Sequence, residues 1–352
     1  MIISGICGLM DSTGDLVKST QTFSITLGSG VTSNTATITS VTTGASFVVW
    51  GGLISDDAAL ATTQSYADVT LTNGTTVTAT RNTGTGSVTV KGTVVEFNSW
   101  AIRSIQQGTV TIAGGGDTTG AINSVTTANS FIHYNGEIAT GNWTTTMRGQ
   151  FTLTNSTTVT FSQQAGGGGN NGARGRYVVV EFNSGVLNSA TQPVSIEVTT
   201  TQTGTATITN VTTGQSAIFW GGTAGNISDS SIATNSLRLN LTNGTTVTAT
   251  RNNTANGCTV VGTVVEFKAT DIVSVNRENI ALSGVASNTA TVTAVDTTKS
   301  FVSFLGMSTT DASNTFREVL NNVVLTNSTT VTSAVNTATT TQTDSYELIE
   351  FN

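Results

Sequence analysis

At 352 residues with a net charge of −7, the chain lacks the basic clusters that bind nucleic acid or anionic lipid. Charged residues are only 9%, while hydrophobic residues are 37% and alternate with threonine, which argues for folded β structure over a disordered polymer. Two cysteines, Cys7 and Cys258, are too few to frame the fold with disulfides, and no run approaches the roughly 20 apolar residues that cross a bilayer.

The first residues, Met1 to Met10, are apolar but carry no basic start and too short an apolar stretch for a signal peptide. They read as an edge strand or a docking segment, on a protein made in a cytoplasm. Next, Thr35-Ala-Thr-Ile38-Thr-Ser-Val41 alternates as a half-buried strand should, a turn follows at Gly44, and Ser46–Trp50 forms a strand ending at Gly51-Gly52. After a variable stretch comes Leu71-Thr-Asn-Gly-Thr-Thr-Val77-Thr, a hairpin in which Asn73-Gly74 predicts a type I′ turn. The closing strand is Val94-Val-Glu96-Phe97.

This sequence is written four times. The hairpin recurs at Leu153, Leu241 and Leu325, with Asn155-Ser156, Asn243-Gly244 and Asn327-Ser328 at the turn. The closing glutamates, Glu96, Glu181, Glu266 and Glu350, lie 85, 85 and 84 residues apart. That period is too long for a solenoid turn and suits a small module. The expectation is an all-β chain of four tandem β-sandwich modules, Ig-like or jelly-roll-like, over residues 1–98, 99–183, 184–268 and 269–352. Short linkers such as Asn98-Ser-Trp100 fix their relative orientation. A straight rod of four sandwiches would reach about 150 Å. Helix evidence is confined to Asp56–Leu60 and Thr315–Leu320.

The copies are not equal. The first and third align at an offset of 170, sharing Trp50/Trp220, each followed by two glycines, and Arg81/Arg251. The second and fourth lack both features. The pattern is A-B-A-B, a duplicated two-module unit.

No reactive constellation accompanies the repeat. Each module offers one regular carboxylate, on a strand face read as solvated or turned to a neighbour, whereas acid–base catalysis needs two converging groups. His133 is the one histidine, so neither triads nor His-based metal clusters can repeat. Cys258 occupies the place of Val88 and reads as a small buried hydrophobe. The run Gly166–Arg176 lacks phosphate-loop spacing and is a longer hairpin tip. Trp50, Trp220, Tyr134 and Phe304 fall where a core wants large residues. The candidate surface-recognition residues are Trp143, Asp56, Asp57, Asp229 and Asp311, all in the variable stretches 53–66, 137–150, 223–236 and 307–320. No cofactor or metal is expected, since the acidic spacing matches no recognised Ca²⁺ loop.

The "ATIT-x-V" strand, the stretch from Val295 to Phe304, "LTNSTTVT" and the later "ELIEF" together resemble repeated β modules of tailed-bacteriophage virion proteins, which decorate heads or form collars and fibres. The resemblance spans all four modules and implies no catalytic residue. It implies a non-enzymatic structural protein of a virion, assembled in a host cytoplasm, whose partners are other virion proteins and further copies of itself. The alternative is a fibre or adhesin that recognises a host-surface glycan or receptor through its variable loops.

Overall fold

A computed structural model describes residues 14–56, 65–84, 86–114, 116–139, 148–163, 172–225, 232–310, 316–338 and 341–352. Each repeat supplies six strands. In the first they are β1 (Val17–Leu27), β2 (Ser33–Thr37), β3 (Ser46–Ser55), β4 (Asp68–Asn73), β5 (Thr76–Thr80) and β6 (Val88–Phe97). The second supplies β7 (Ile102–Ile112), β8 (Gly116–Ala121), β9 (Ser130–Ala139), β10 (Gly149–Asn155), β11 (Thr158–Gln163) and β12 (Ala173–Phe182). In the third, β13 (Gln192–Val198), β14 (Thr203–Thr207), β15 (Ser216–Gly225), β16 (Arg238–Asn243), β17 (Thr246–Thr250) and β18 (Cys258–Glu266) follow the same order. The fourth has β19 (Ile272–Leu282), β20 (Ser287–Thr291), β21 (Ser300–Thr309), β22 (Asn322–Asn327), β23 (Thr330–Ala334) and β24 (Gln342–Phe351), with one helical turn at Phe316–Val319.

These strands do not build four sandwiches in series. They form four six-stranded antiparallel sheets arranged as a four-bladed β-propeller. Every sheet is shared: three strands come from one repeat and three from the next, as in the order β2-β5-β4-β9-β12-β7. The fourth repeat returns to the first through β1-β6-β3-β22-β23-β20, which closes the ring. The sequence pattern cannot distinguish the two arrangements, because a strand alternates identically whether its sheet partner lies in its own repeat or the next.

The joint between repeats is the same in all four places. A glycine of positive φ in one repeat (Gly52, Gly136, Gly222 or Gly306) bridges the first or second residue of a strand from the preceding repeat, namely Asn322, Asp68, Gln150 or Arg238. A Cβ on Gly222 would stand 2.4 Å from the carbonyl oxygen of Gly149, so the crossing backbone itself excludes a side chain. Only the second glycine of the Trp-Gly-Gly pair is common to all repeats. The first, Gly51 or Gly221, marks the A repeats, where the incoming strand approaches closely enough that a Cβ would lie 2.9 or 2.7 Å from a backbone oxygen.

Strands β3, β9, β15 and β21 pack around the axis, and phenyl rings fill one end of it. The closing-strand residues Phe97, Phe182, Phe267 and Phe351 form a complete cycle of edge-to-face contacts, at 5.3, 6.0, 5.1 and 6.2 Å between centroids in turn. Phe47, Phe131 and Phe301 lie next to them. The third repeat has Ala217 at the matching point and places Phe219 two residues later, stacked on Phe131 at 3.8 Å. Each fully buried ring contributes about 2–3 kcal/mol of transfer free energy.

The hairpin that announced the repeat uses a different turn from the one expected. Among the described residues no non-glycine residue has positive φ, nor do Gly74 and Gly244, which rules out a type I′ turn. Instead the Asn side chain makes the turn: Oδ1 of Asn73, Asn155, Asn243 and Asn327 accepts the backbone N–H two residues on, at 2.9 Å in each copy. An Asx turn does not need glycine, which explains why Asn-Ser serves as well as Asn-Gly. The tip then holds the preceding strand, since Ile38 N–H and Val41 N–H donate to the carbonyls of Thr75 and Gly74, with equivalent pairs in the other repeats.

Closure of the ring sets the dimensions of the molecule. Small-angle scattering is expected to give a radius of gyration of about 20 Å, against about 43 Å for a rod of about 150 Å. The joint is tested by Gly222→Ala, which collides with backbone and is expected to cost about 2–3 kcal/mol in urea unfolding. Gly284→Ala, at a φ of +70° with nothing within 4 Å of the added Cβ, should cost about 1 kcal/mol.

Candidate functional site

The four closing-strand glutamates are structural. They are not solvated: Glu96, Glu181 and Glu266 are buried and Glu350 is half-buried. Each Oε1 accepts the backbone N–H that opens the turn before the axial strand, from Thr42, Thr126, Thr212 and Asp296 at 2.7–2.9 Å. Burial pushes the Glu96 carboxyl up, but hydrogen bonds from Lys18 and Thr42 outweigh it and hold it below the usual range. Glu266 behaves alike through Thr212, Ser189 and Asn188. These carboxylates are occupied by the fold.

Other polar groups on the axis are also committed. His133 is fully buried; its Nε2 accepts the N–H of Trp50 at 3.1 Å, and burial lowers its pKa to about 3, so the ring is neutral. Glu347 accepts the N–H of Ile218 at 2.6 Å and pairs with Arg277 at 2.7 Å. Cys258 is buried, as its alignment with Val88 implied, and burial raises its thiol to about 12. Arg81 and Arg251 each tie loop carbonyls together, Arg81 holding those of Val31, Gly28 and Gly86.

Of the residues singled out for recognition, Trp143, Asp57, Asp229 and Asp311 lie outside the described residues. Asp56 is exposed, and its Oδ1 accepts the Ser87 N–H at 2.6 Å, so it fastens a strand end. The expected one-turn helix near Thr315 is present as Phe316–Val319.

What the structure adds is where the variable stretches are rooted. Each leaves the end of an axial strand just past the joint glycine, so all four are anchored at the same end of the axis, opposite the phenyl cycle. Their flanking residues converge on one cavity of about 30 Å³. Leu53 and Tyr66 reach it from the first stretch, Arg148 from the second, Thr223 from the third, and Leu320 and Asn321 from the fourth. Trp50, Tyr134, Trp220 and Phe304 form its floor, with Trp50–Tyr134 at 4.9 Å, Tyr134–Trp220 at 5.3 Å and Trp220–Phe304 at 5.6 Å. These aromatics are core residues, as expected, and the same packing walls the cavity.

Beside it lies Glu137, fully buried, whose Oε2 accepts the Gly149 N–H at 3.0 Å. Burial raises its pKa to about 8, with Arg148 pulling the other way. Burial likewise raises Tyr66 to about 12 and Tyr134 well above its ordinary value. Sequence reading placed Tyr66, Glu137, Arg148 and Thr223 inside the variable stretches but gave no reason to single them out. Their signal was positional, since they sit at the ends of those stretches rather than at the tips.

A larger cavity, about 290 Å³, lies between the second and third repeats against Phe151, Leu153, Pro193 and Val194. Val194 stands where the first repeat has Phe23, whose ring covers Gly92. The hydroxyls that face this cavity from Ser130 and Thr191 are bonded to carbonyls, which makes it a packing gap. Among the described residues no three His, Cys, Asp or Glu side chains gather to hold a metal ion. No family model matches the chain, and no curated protein matches it either.

Glu137 also couples folding to pH. The unfolded carboxyl releases its proton above about 4.5 and the folded one only near 8, so the folded state holds the extra proton between them and stability falls as pH rises through that window. His133 has the opposite effect, but only below about 6.5. Urea midpoints measured from about pH 6.5 to about pH 8 should therefore decline in the wild type and decline less in Glu137→Gln, the difference approaching 1.4 kcal/mol per pH unit at most.

Proposed function

We propose that the protein is a non-enzymatic recognition module, carried on a bacteriophage particle as the sequence resemblance implies, that meets a host-surface ligand with the loop-bearing end of the propeller. The observation behind this reading is the rooting of all four variable stretches around one aromatic-floored axial cavity. Binding residues concentrate on loops held by a rigid scaffold, and here the closing-strand carboxylates are satisfied by the backbone of the recurring turns. The axial carboxylates of Glu96, Glu181, Glu266 and Glu347 bond to backbone or arginine, which removes them from consideration as paired acids for glycoside hydrolysis.

A second reading, a shell or collar component that packs by its flanks, is favoured by the outer strands. β2, β14 and β20 are uncharged, Thr-rich and largely exposed, each paired on one side only, which leaves an edge open to a neighbouring chain.

Labelled protein applied to a bacterial envelope and glycan panel distinguishes the two. Replacing residues 57–64, 140–147, 226–231 and 311–315 with glycine–serine segments of equal length should abolish saturable binding while leaving the melting temperature within a few degrees. Binding that survives the replacement sinks the recognition reading. Loss of self-association or particle incorporation on placing lysines in β2, β14 and β20, with envelope binding absent throughout, would establish the second reading instead.

A further inference from the structure

We propose that the axial cavity takes the carboxylate of an acidic sugar; this rests on the recognition reading above and names its ligand class. The cavity, at about 30 Å³, admits one small terminal group rather than a whole ring. Trp50 and Trp220 line it at 7% and 4% exposure, and their indole Nε1–H groups meet no acceptor among the described residues. Asn321 Nδ2 and Thr223 Oγ1, also buried and also lining it, are equally unpaired.

An indole N–H can only donate, so no rotamer or amide flip relieves it. Leaving such a group buried and unpaired is destabilising, and both indoles line this cavity. A planar acceptor with two oxygens can serve more than one donor. The charge agrees with the donors. Arg148 reaches the same cavity, and a carboxylate on arginine forms stronger hydrogen bonds than a neutral acceptor. Of the carboxyls facing Arg148, burial raises Glu137 to about 8 but Asp344 only to about 6, so Asp344 still offsets part of the guanidinium charge at neutral pH. A sugar is the carrier that the host-surface reading above supplies, its carboxylate entering the cavity and its ring staying outside.

Tryptophan emission and saturation-transfer NMR on the full chain test this with four probes: N-acetylneuraminic acid, glucuronic acid, glucose and acetate. At least one sugar acid should perturb the tryptophans saturably, with glucose and acetate each at least tenfold weaker. Arg148→Gln, partly exposed and so tolerable to the fold, should weaken the acid about tenfold or more. Trp50→Phe keeps a ring but removes one donor and should weaken it several-fold. Thermal melts confirm that both variants fold. Glucose or acetate binding as tightly as the acids overturns the inference, and so does indifference to both substitutions. If no acid binds while the loop replacements still abolish envelope binding, the cavity assignment falls and the recognition reading stands. If the loops are dispensable, both fall.

Discussion

The fold depends on one crossing, where a strand of each repeat passes directly over a glycine of the next. At Gly52, Gly136, Gly222 and Gly306 the positive φ turns the axial strand, and the missing Cβ lets the neighbouring backbone bridge to it. Everything larger follows from this contact. Because the partner strand belongs to the preceding repeat, no repeat can complete a sheet alone, and four successive crossings return to the start. A chain with a bulkier residue at these points would lose the bridge that all four seams share. The phenyl cycle of Phe97, Phe182, Phe267 and Phe351 can form only once the fourth crossing has been made, so axial packing and ring closure stabilise one another.

The alternation of A and B repeats has a physical counterpart in the seams. Where an A repeat follows a B repeat, Thr20 and Thr191 donate their N–H groups to Thr298 and Ala128 carbonyls at 2.9 Å, and their hydroxyls lie within 2.9 Å of two further carbonyls. Where a B repeat follows an A repeat, the matching residues are Ile105 and Val275, which pack on the axial core instead. The bridging residues alternate as well: Gln150 and Asn322 on one kind of seam, Asp68 and Arg238 on the other. Asp68 pairs with Arg174 at 2.7 Å and Arg176 at 3.1 Å, while Arg238 faces Asp344, Asn279 and Ser345 with the charge reversed. Opposite charge at equivalent seams disfavours pairing the repeats in the wrong order, since Asp68 would then face Asp344. The 170-residue step is thus visible in the chemistry of the joints as well as in the sequence.

Much of this was legible in the residues and some was not. The strands, the repeat and the A-B pairing follow from alternation and spacing, which are local. Ring closure is a statement about which repeat supplies a strand's partner, and nothing in Leu71–Val77 or Ser46–Trp50 encodes that. The glycines carried the clue, but the Trp-Gly-Gly of the A repeats drew attention to the pair when only its second member is common to Gly136 and Gly306. The turn departs from the expected type for a related reason: Asn-Gly points to positive φ, whereas the Asn side chain makes the turn in all four hairpins. The glutamates looked exposed because Glu96 alternates away from Phe97. That outer face is covered by the turn at Thr42, a contact 54 residues distant in the chain.

The division of labour between repeat and loop follows from where the hydrogen bonds are spent. The glutamates fasten the turns, the Asx hairpins hold the strands before them, and the glycine joints link the repeats; all of these lie in the recurring segments. Of the variable stretches, the described ends do take part, as Gln150 does at the Gly222 joint. A segment free of structural duty can change its residues without unfolding the ring, and loops attached at four related points round one axis can be altered singly while the others keep their geometry. The cavity at their roots is the exception, because Trp50, Trp220 and Asn321 are both structural and unpaired. Two buried indole donors that meet no acceptor among the described residues are a cost that the fold alone does not require, and that cost marks this end of the axis.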